Sequence, residues 1–377
     1  MARRLPSRPR TIGLRTTGFV LSLLLIVGGL IYDLYGPGIG TVAFGFDPRA
    51  LDWLVALSIA ILGWYGVGGL LANPMLARRY WEGIKQRPEA LASLLFLTIV
   101  AVLGVLGPEI QGPLSLAPAE KFQPPVFLST DTSTVSQCVG HITGGVCHGT
   151  WQYPLGTDKM GRDLLTLLAY GARVAILLAA VSGAIIVPIA VMVGLVSGYM
   201  GGWVDDVLMR YVDVQQTVPA IIVYLMLILV FGESLFLIVV VFGLLSWGEV
   251  ARHVRTDVLR FRKAEHVLAA EGIGASRAYV IRKHILPRAS PTVIAATTRK
   301  TPEIILIQAA LAFLNLNDVM VPSWGHTIAN GLSDFWVAVP HKWWVSTIPV
   351  IALAGTIVSL NVLGNTFREV LDPRSLE

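Results

Sequence analysis

The sequence predicts an all-α protein that crosses a membrane several times, and three observations carry that prediction. Hydrophobic residues make up 54% of the 377 and charged residues only 14%, with a mean hydropathy of +0.67, too little charge to clothe a soluble core. The apolar residues are gathered into blocks suited to a hydrocarbon layer about 30 Å thick, which takes roughly 20 helical residues at about 1.5 Å each. Water is absent from that layer, so backbone N–H and C=O groups must pair within each block, and helices do this where open strands do not.

Eight spans are expected, at residues 18–31, 51–72, 90–107, 172–196, 207–231, 234–247, 293–316 and 343–363. The first is short and follows Arg3, Arg4, Arg8 and Arg10, a pattern shared with signal peptides. No small-x-small cleavage site stands clearly after it, and Tyr32-Asp33-Leu34-Tyr35 suits a membrane interface, which favours an anchor. Arg78, Arg79, Lys85 and Arg87 separate the second span from the third, and nine Lys and Arg between positions 252 and 288 separate the sixth from the seventh. Lys and Arg are retained on the cytoplasmic side, so eight spans with both termini inside put both clusters in the cytoplasm. The net charge of +5 then reports topology and requires no nucleic-acid partner.

Three regions differ in character: residues 1–107 with three spans, 108–153 rich in Pro, Ser, Thr and Gly, and 154–377 with alternating spans and specific polar loops. The middle region reads as an extracytoplasmic loop or cap. It holds both cysteines, Cys138 and Cys147, on the side where a disulfide persists. With His141 and His148 they form C-x2-H-x5-C-H, but one local cluster without a second half supports a disulfide or free thiols better than a metal.

Enzyme signatures are missing. The chain has no G-x-x-x-x-G-K-[ST] and no H-E-x-x-H, so neither a nucleotide nor a zinc site of its own is expected. Gly194-Leu195-Val196-Ser197-Gly198 has the wrong spacing for a serine elbow; small residues in a membrane helix allow close packing instead.

One long basic segment stands between apolar runs. Residues 255–271, RTDVLRFRKAEHVLAAE, are helix-forming and free of Pro and Gly. Gly272 and Gly274 follow and should break the helix, since glycine takes positive φ without steric cost. Ser276 is placed to cap a second helix, RAYVIRKHIL, that should stop at Pro287. Val280, Ile281, Ile285 and Leu286 supply its apolar face, and Arg277, Arg282, Lys283 and Arg288 its charge. Ala269, Ala270, Gly272, Gly274 and Ala275 keep the tip small, so this cytoplasmic knob suits a protein groove; amphipathic lipid binding is the plainer alternative.

The stretch AAEGIGASRAYVIRKHILP, residues 269–287, resembles the EAA loop of ABC importer permeases, E-A-A-x-x-x-G followed by a hydrophobic run ending in L-P. Ala269, Ala270, Gly274, His284, Leu286 and Pro287 carry the likeness, while Leu268 stands where the pattern has Glu. YPLGTDKMGRDLLTLLAYGARVAIL (153–177), GYMGGWVDDVLMRYVDV (198–214), PSWGHTIANG (322–331) and NVLGNTFREVLDPR (361–374) are similar to dipeptide/oligopeptide permeases of the C type. The likeness covers about 153–374 and leaves 1–150 poorly matched, with two spans more than such permeases usually carry before the outer loop.

The resemblance implies an ABC type I importer permease core of about eight transmembrane helices in the plasma or inner membrane. It implies a homologous second permease, two cytoplasmic ATPases that bind ATP and Mg, and an extracytoplasmic solute-binding protein. The loop at 251–291 would be the coupling helix, so Ala269, Ala270, Gly272, Gly274, Ala275, Ser276, His284, Leu286 and Pro287 are expected to meet an ATPase. Di- and oligopeptides are the implied cargo; oligosaccharides or nickel share the architecture. An ATPase-independent secondary transporter and a non-transporting scaffold are readings of different classes.

Polar residues inside spans face protein or water, which makes Asp213, Gln216, Arg299, Lys300, Glu303 and Gln308 candidate pathway residues. Gln215 and Thr217 precede Pro219 in what reads as one continuous helical run, and Arg299 or Lys300 has a structural alternative, an ion pair with Glu303 at helical spacing. Asp158, Arg162, Asp163 and Trp324 are expected at an outer mouth where a binding protein would dock, with helix capping as the rival role for the acids. Asp205 and Asp206 should cap the fifth span. Trp324, Trp336, Trp343 and Trp344 are expected in an interfacial belt, with Trp324 alternatively shaping the vestibule.

Overall fold

Helices account for the apolar blocks in the computed structural model, which describes residues 11–35, 50–317, 321–332 and 342–371. Helix α1 (Thr11–Tyr35) pairs with α2 (Ala50–Ile61), which continues through a π turn (Leu62–Val67) into α3 (Gly68–Leu71). Two indole donors join them: Trp53 Nε1 to Asp33 at 3.1 Å and Trp64 Nε1 to Ser22 Oγ at 3.0 Å. A short helix α4 (Pro74–Lys85) leads into α5 (Pro88–Gln111).

After α5 the chain builds a small cap. Strands β1 (Ser129–Asp131), β2 (Ile142–Thr143) and β3 (Val146–His148) form an antiparallel sheet in the order β1-β3-β2. Buried Gln123 organises it, its Nε2 donating to Gln137 O at 2.6 Å and its Oε1 accepting from Val139 N at 3.0 Å. Cys138 and Cys147 are joined in a disulfide, which removes both sulfurs from any metal set. His141 and His148 stack with ring centroids 4.6 Å apart.

The central helix is α6 (Leu164–Met200), 37 residues long and longer at both ends than the expected 172–196. Around it stand α7 (Gly202–Thr217), α8 (Ala220–Phe231), α9 (Leu235–Leu245), α10 (Trp247–Arg262), α11 (Glu265–Gly272), α12 (Arg277–Val280), α13 (Leu286–Phe313), α14 (Trp324–Leu332) and α15 (Trp344–Leu371). Among the described residues, six helical segments are long and apolar enough to span a membrane, or seven with the α7–α8 pair. The expected span missing from these is the seventh, at 293–316, which is α13; its 28 residues suffice in length but are diluted by Arg288, Arg299, Lys300 and Glu303. Two further spans differ from expectation. The fifth span is not one continuous run but bends by 68° between α7 and α8, because Pro219 holds Val218 in extended backbone. The sixth span runs on to Arg262, so its basic end is part of the same apolar rod.

Glycines decide how closely α6 is approached. A Cβ on Gly194 would lie 2.7 Å from Ala251 O and Val254 Cβ, and one on Gly198 would lie 2.8 Å from Val258 Cβ, so α10 rests directly on the α6 backbone. Helices in lipid gain nothing from hydrophobic exclusion between them, and close backbone approach supplies the attraction instead. The tryptophans depart from the expected belt. Trp324 is buried against Gly171 with Nε1 donating to Leu168 O at 3.1 Å, and Trp344 is buried with Phe122 and Leu167; Trp343 is exposed, and Trp336 lies outside the described residues.

Gly194→Leu and Gly198→Leu should each lower stability by about 1–3 kcal/mol through overpacking. Gly183→Leu, where a Cβ meets nothing within 4 Å, should leave it unchanged. Thermal unfolding in detergent measures the contrast.

Candidate coupling knob and polar pathway

The glycine elbow forms as the residues dictate, with one shift in register. Helix α11 ends in Gly272, and the reversal falls on Gly274, at φ +86°. Gly274 N donates to Glu271 O at 2.9 Å and Ala275 N to Ala270 O at 3.0 Å, the paired bonds that close a helix on a left-handed glycine. Ser276 Oγ caps α12, accepting from Tyr279 N at 3.4 Å. Pro287 does not end the second helix as expected. A π turn, Ile281–Ile285, absorbs the change and Pro287 sits in the first turn of α13, where its missing N–H costs no helical bond.

Root and tip separate cleanly. Val267, Val280 and Ile285 are fully buried against Leu195, Val254, Val258 and Val293, with Ala270, Ala275, Ile281 and Leu286 packed around them. Two of the small residues expected at the tip, Ala270 and Ala275, therefore belong to the root. The exposed tip is Ala269, Gly272 and Gly274 together with Leu268, 54% exposed, and Ile273, 88% exposed. His284 is half-buried at the base, its ring centroid 5.9 Å from Tyr279 and 5.8 Å from His266. Burial pushes the His266 pKa down, and the positive charges of Arg288 and His284 add to the depression.

Polar clamps weld the knob to the core. Tyr199 donates to Glu271 Oε1 at 2.7 Å, and Arg262 Nη1 donates to the carbonyls of Gly198 and Tyr199 at 3.2 and 2.9 Å. Asp205 does not cap α7 through its side chain; it takes Arg255 Nε at 2.6 Å and Nη2 at 2.5 Å, and Ser197 Oγ also donates to it. Sequence spacing gives no sign of these clamps: apart from Ser197 with Asp205, the partners lie 50 or more positions apart and meet only where α7, α10 and α11 pack at the end of α6.

A second polar set lies higher on α7, α10 and α13. Lys300 Nζ is shared by Glu249 Oε2 at 2.7 Å and Glu303 Oε2 at 2.9 Å. The pairing expected within α13 is therefore present through Lys300, Arg299 is exposed, and Glu249 is the partner that sequence spacing missed. Glu249, His253, Arg299, Lys300 and Glu303 line one cavity of about 100 Å³. Asp213 pairs with Arg252, and Gln216 is exposed beside Gly248. Gln308 does not join this set: it is 3% exposed and its Nε2 has no hydrogen-bond partner among the described residues.

The outer-mouth residues turn inward. Asp158 is fully buried and accepts from Met160 N at 2.8 Å, Arg162 N at 2.9 Å and Arg162 Nε at 2.8 Å. Asp163 caps α6, accepting from Leu165 N, Thr166 N and Thr166 Oγ1. These acids shape the turn into α6, the rival role considered for them, and Trp324 is spoken for by Leu168 O.

A helical membrane core with a protruding glycine elbow and charges on facing helices defines a permease-like subunit. The chain matches the family described as binding-protein-dependent transport system inner membrane component over residues 190–376. It is 31% identical to dipeptide transport system permease protein DppC of Bacillus subtilis (strain 168) over 296 residues, 78% of this chain and 84% of the relative. It is 30% identical to oligopeptide transport system permease protein OppC of Haemophilus influenzae over 302 residues, 79% and 89% of the two chains. A chain of the inward-facing MetNI methionine ABC transporter matches 55% of this chain and 96% of its own length, at 17% identity and a TM-score of 0.45. This chain belongs to the dipeptide/oligopeptide ABC importer permease family and is a multi-pass inner-membrane protein.

Lys300→Ala should cost about 1–2 kcal/mol by leaving Glu249 and Glu303 without their shared cation. Arg299→Ala should leave the unfolding temperature unchanged. Equal effects of the two changes on thermal unfolding would remove Lys300 from its bridging role.

Proposed function

We propose that this chain is one of two membrane halves of an ATP-driven importer for di- and oligopeptides. The elbow carries the reading: a small, exposed tip rooted between α10 and α13 suits force transmission by an outside protein. Leu268, Ala269, Gly272, Ile273 and Gly274 seat in a groove on one of two cytoplasmic ATPases. Ala270, Ala275, Ser276, His284, Leu286 and Pro287 hold the tip in shape. ATP and Mg bind to those ATPases; this chain supplies no nucleotide site and needs no cofactor.

A homologous second permease completes the translocation pathway and brings its own elbow. An extracytoplasmic solute-binding protein delivers cargo on the side of the disulfide-bonded cap, and both termini share the cytoplasm with the elbow. The relatives named for dipeptide and oligopeptide transport support a peptide cargo. Asp213, Gln216, Arg299, Lys300 and Glu303, with Glu249, offer both signs of charge to a peptide's termini. Closure of the ATPases draws the knob with α10 and α13 attached, and the pathway alternates between two states whose populations the nucleotide sets.

Gly274→Trp should cut peptide uptake about tenfold or more while the protein stays in the membrane, with ATP hydrolysis by the co-purified ATPases no longer tied to transport. Gly274→Asn should do less harm, since Asn tolerates the left-handed backbone. Peptide movement by the purified chain alone in liposomes under an ion gradient would overturn the reading.

A further inference from the structure

A crevice of about 1,050 Å³ opens on the elbow side of the molecule, between the N-terminal helices and the root of the knob. One wall is the α2–α3 junction, where Gly66 and Gly69 present bare backbone; a Cβ on either would meet nothing within 4 Å. The facing wall is the start of α13, with Pro287, Pro291 and Ile294. Tyr80 of α4 closes one end, edge-on to Phe367 of α15 at 5.3 Å. Helix α4 also carries Arg78, Arg79, Lys85 and the half-exposed Trp81, the residue mixture of a helix lying in the headgroup layer.

Charge gathers where the crevice meets α10 and α13. Arg288 lines it, and the guanidinium carbons of Arg260 and Arg288 lie 5.9 and 6.0 Å from the centroid of the Phe261 ring. Neither arginine has a carboxylate within ion-pair distance among the described residues. The field of Arg288 is felt as far as His266, whose proton affinity it helps lower.

We propose that this crevice binds one anionic phospholipid of the elbow-side leaflet, an acyl chain lying against Gly66 and Gly69 and the phosphate at Arg288. An apolar slot beside an arginine that has no carboxylate partner among the described residues is complementary to a lipid that is apolar at one end and anionic at the other. The volume matches the upper end of small-molecule sites, about 300–1,000 Å³. Residues 1–10 are poor competitors, carrying four arginines and no acid, and the sequence DPRSLE at 372–377 is too polar for a wall of glycine and proline. The name of the leaflet follows the orientation proposed above; the binding itself does not depend on transport.

The test uses the full chain, purified in mild detergent with whatever subunits remain bound. It is titrated with phosphatidylglycerol or phosphatidylcholine of matched acyl chains, and bound lipid is counted by native mass spectrometry. One phosphatidylglycerol should be retained about fivefold more tightly than phosphatidylcholine, a preference lost in Arg288→Gln and kept in Arg288→Lys. Gly69→Leu should fill the slot and weaken retention of both lipids roughly tenfold, with the unfolding temperature unchanged. Equal retention of the two lipids by the wild type, or undiminished retention in Gly69→Leu, overturns the proposal. So does a rise in lipid occupancy on removing residues 372–377, which would make that segment the native occupant. Because the readout counts lipid, these results leave the importer reading untouched.

Discussion

Helix α10 lies on α6 with only glycine between the two backbones, and most of what gives this molecule a function is attached to one of those helices. Lipid supplies no hydrophobic drive for two helices to associate, so the seam relies on dispersion at short range and on polar links that cannot turn to water. Gly194 and Gly198 provide the first, and Arg255 with Asp205 and Ser197 provides the second. Arg262 adds donors to the last carbonyls of α6, which no longer have helical partners of their own. A bulkier residue at either glycine would part the backbones and pull those donors out of range together.

Under the proposed function, the same seam would set how a push at the elbow reaches the bilayer. From Glu249 to Arg262 is roughly 20 Å of unbroken helix at about 1.5 Å per residue, so α10 behaves as a stiff arm between the charge cluster and the knob. On the other side the π turn at Ile281–Ile285 joins the knob to α13 without a loop. Lys300 has one carboxylate on its own helix and one on α10. A change of register between α10 and α13 that separates Lys300 from Glu249 leaves its charge paired with Glu303. That arrangement keeps the desolvation cost of a shift small, since an unpaired ammonium in a partly buried site is the expensive outcome.

Local chemistry made the elbow legible in the sequence. A glycine at the left-handed position, a serine three residues before the amide it caps, and an apolar stripe at helical spacing each act within a few residues. The bend at Pro219 interrupts what its apolar run suggests is one helix, although the constraint of proline on its predecessor is equally local. Pro287 has the opposite character: it suggests a stop, but the π turn shifts the phase of the helix and brings the proline into a first turn. Asp205 with Arg255 and Glu249 with Lys300 have no signature at all, being 50 and 51 positions apart and paired only through helix packing. The tryptophans failed for a related reason: composition says that indoles favour interfaces, but Gly171 opens a slot that a buried Trp324 fills.

The N-terminal helices, which the family likeness covers poorly, gain a physical role from where they stand. Helices α2 and α5 pack on α6, while α4 crosses to α15, where Gly83 leaves room for Val370 and Tyr80 meets Phe367. They therefore touch α6 and α15, with Phe96 of α5 against Gly355 in the middle of α15, and not the charge cluster on α10 and α13. The wall that these helices present to the base of the knob leaves a gap of about 1,050 Å³, so α13 is not packed tightly against α4 there. The glycines at 66 and 69 keep that gap open, and in a membrane a gap of this kind cannot stay empty. Under the importer reading proposed above, what fills it would set the stiffness of the joint, and the added helices would bear on coupling through the contents of that space.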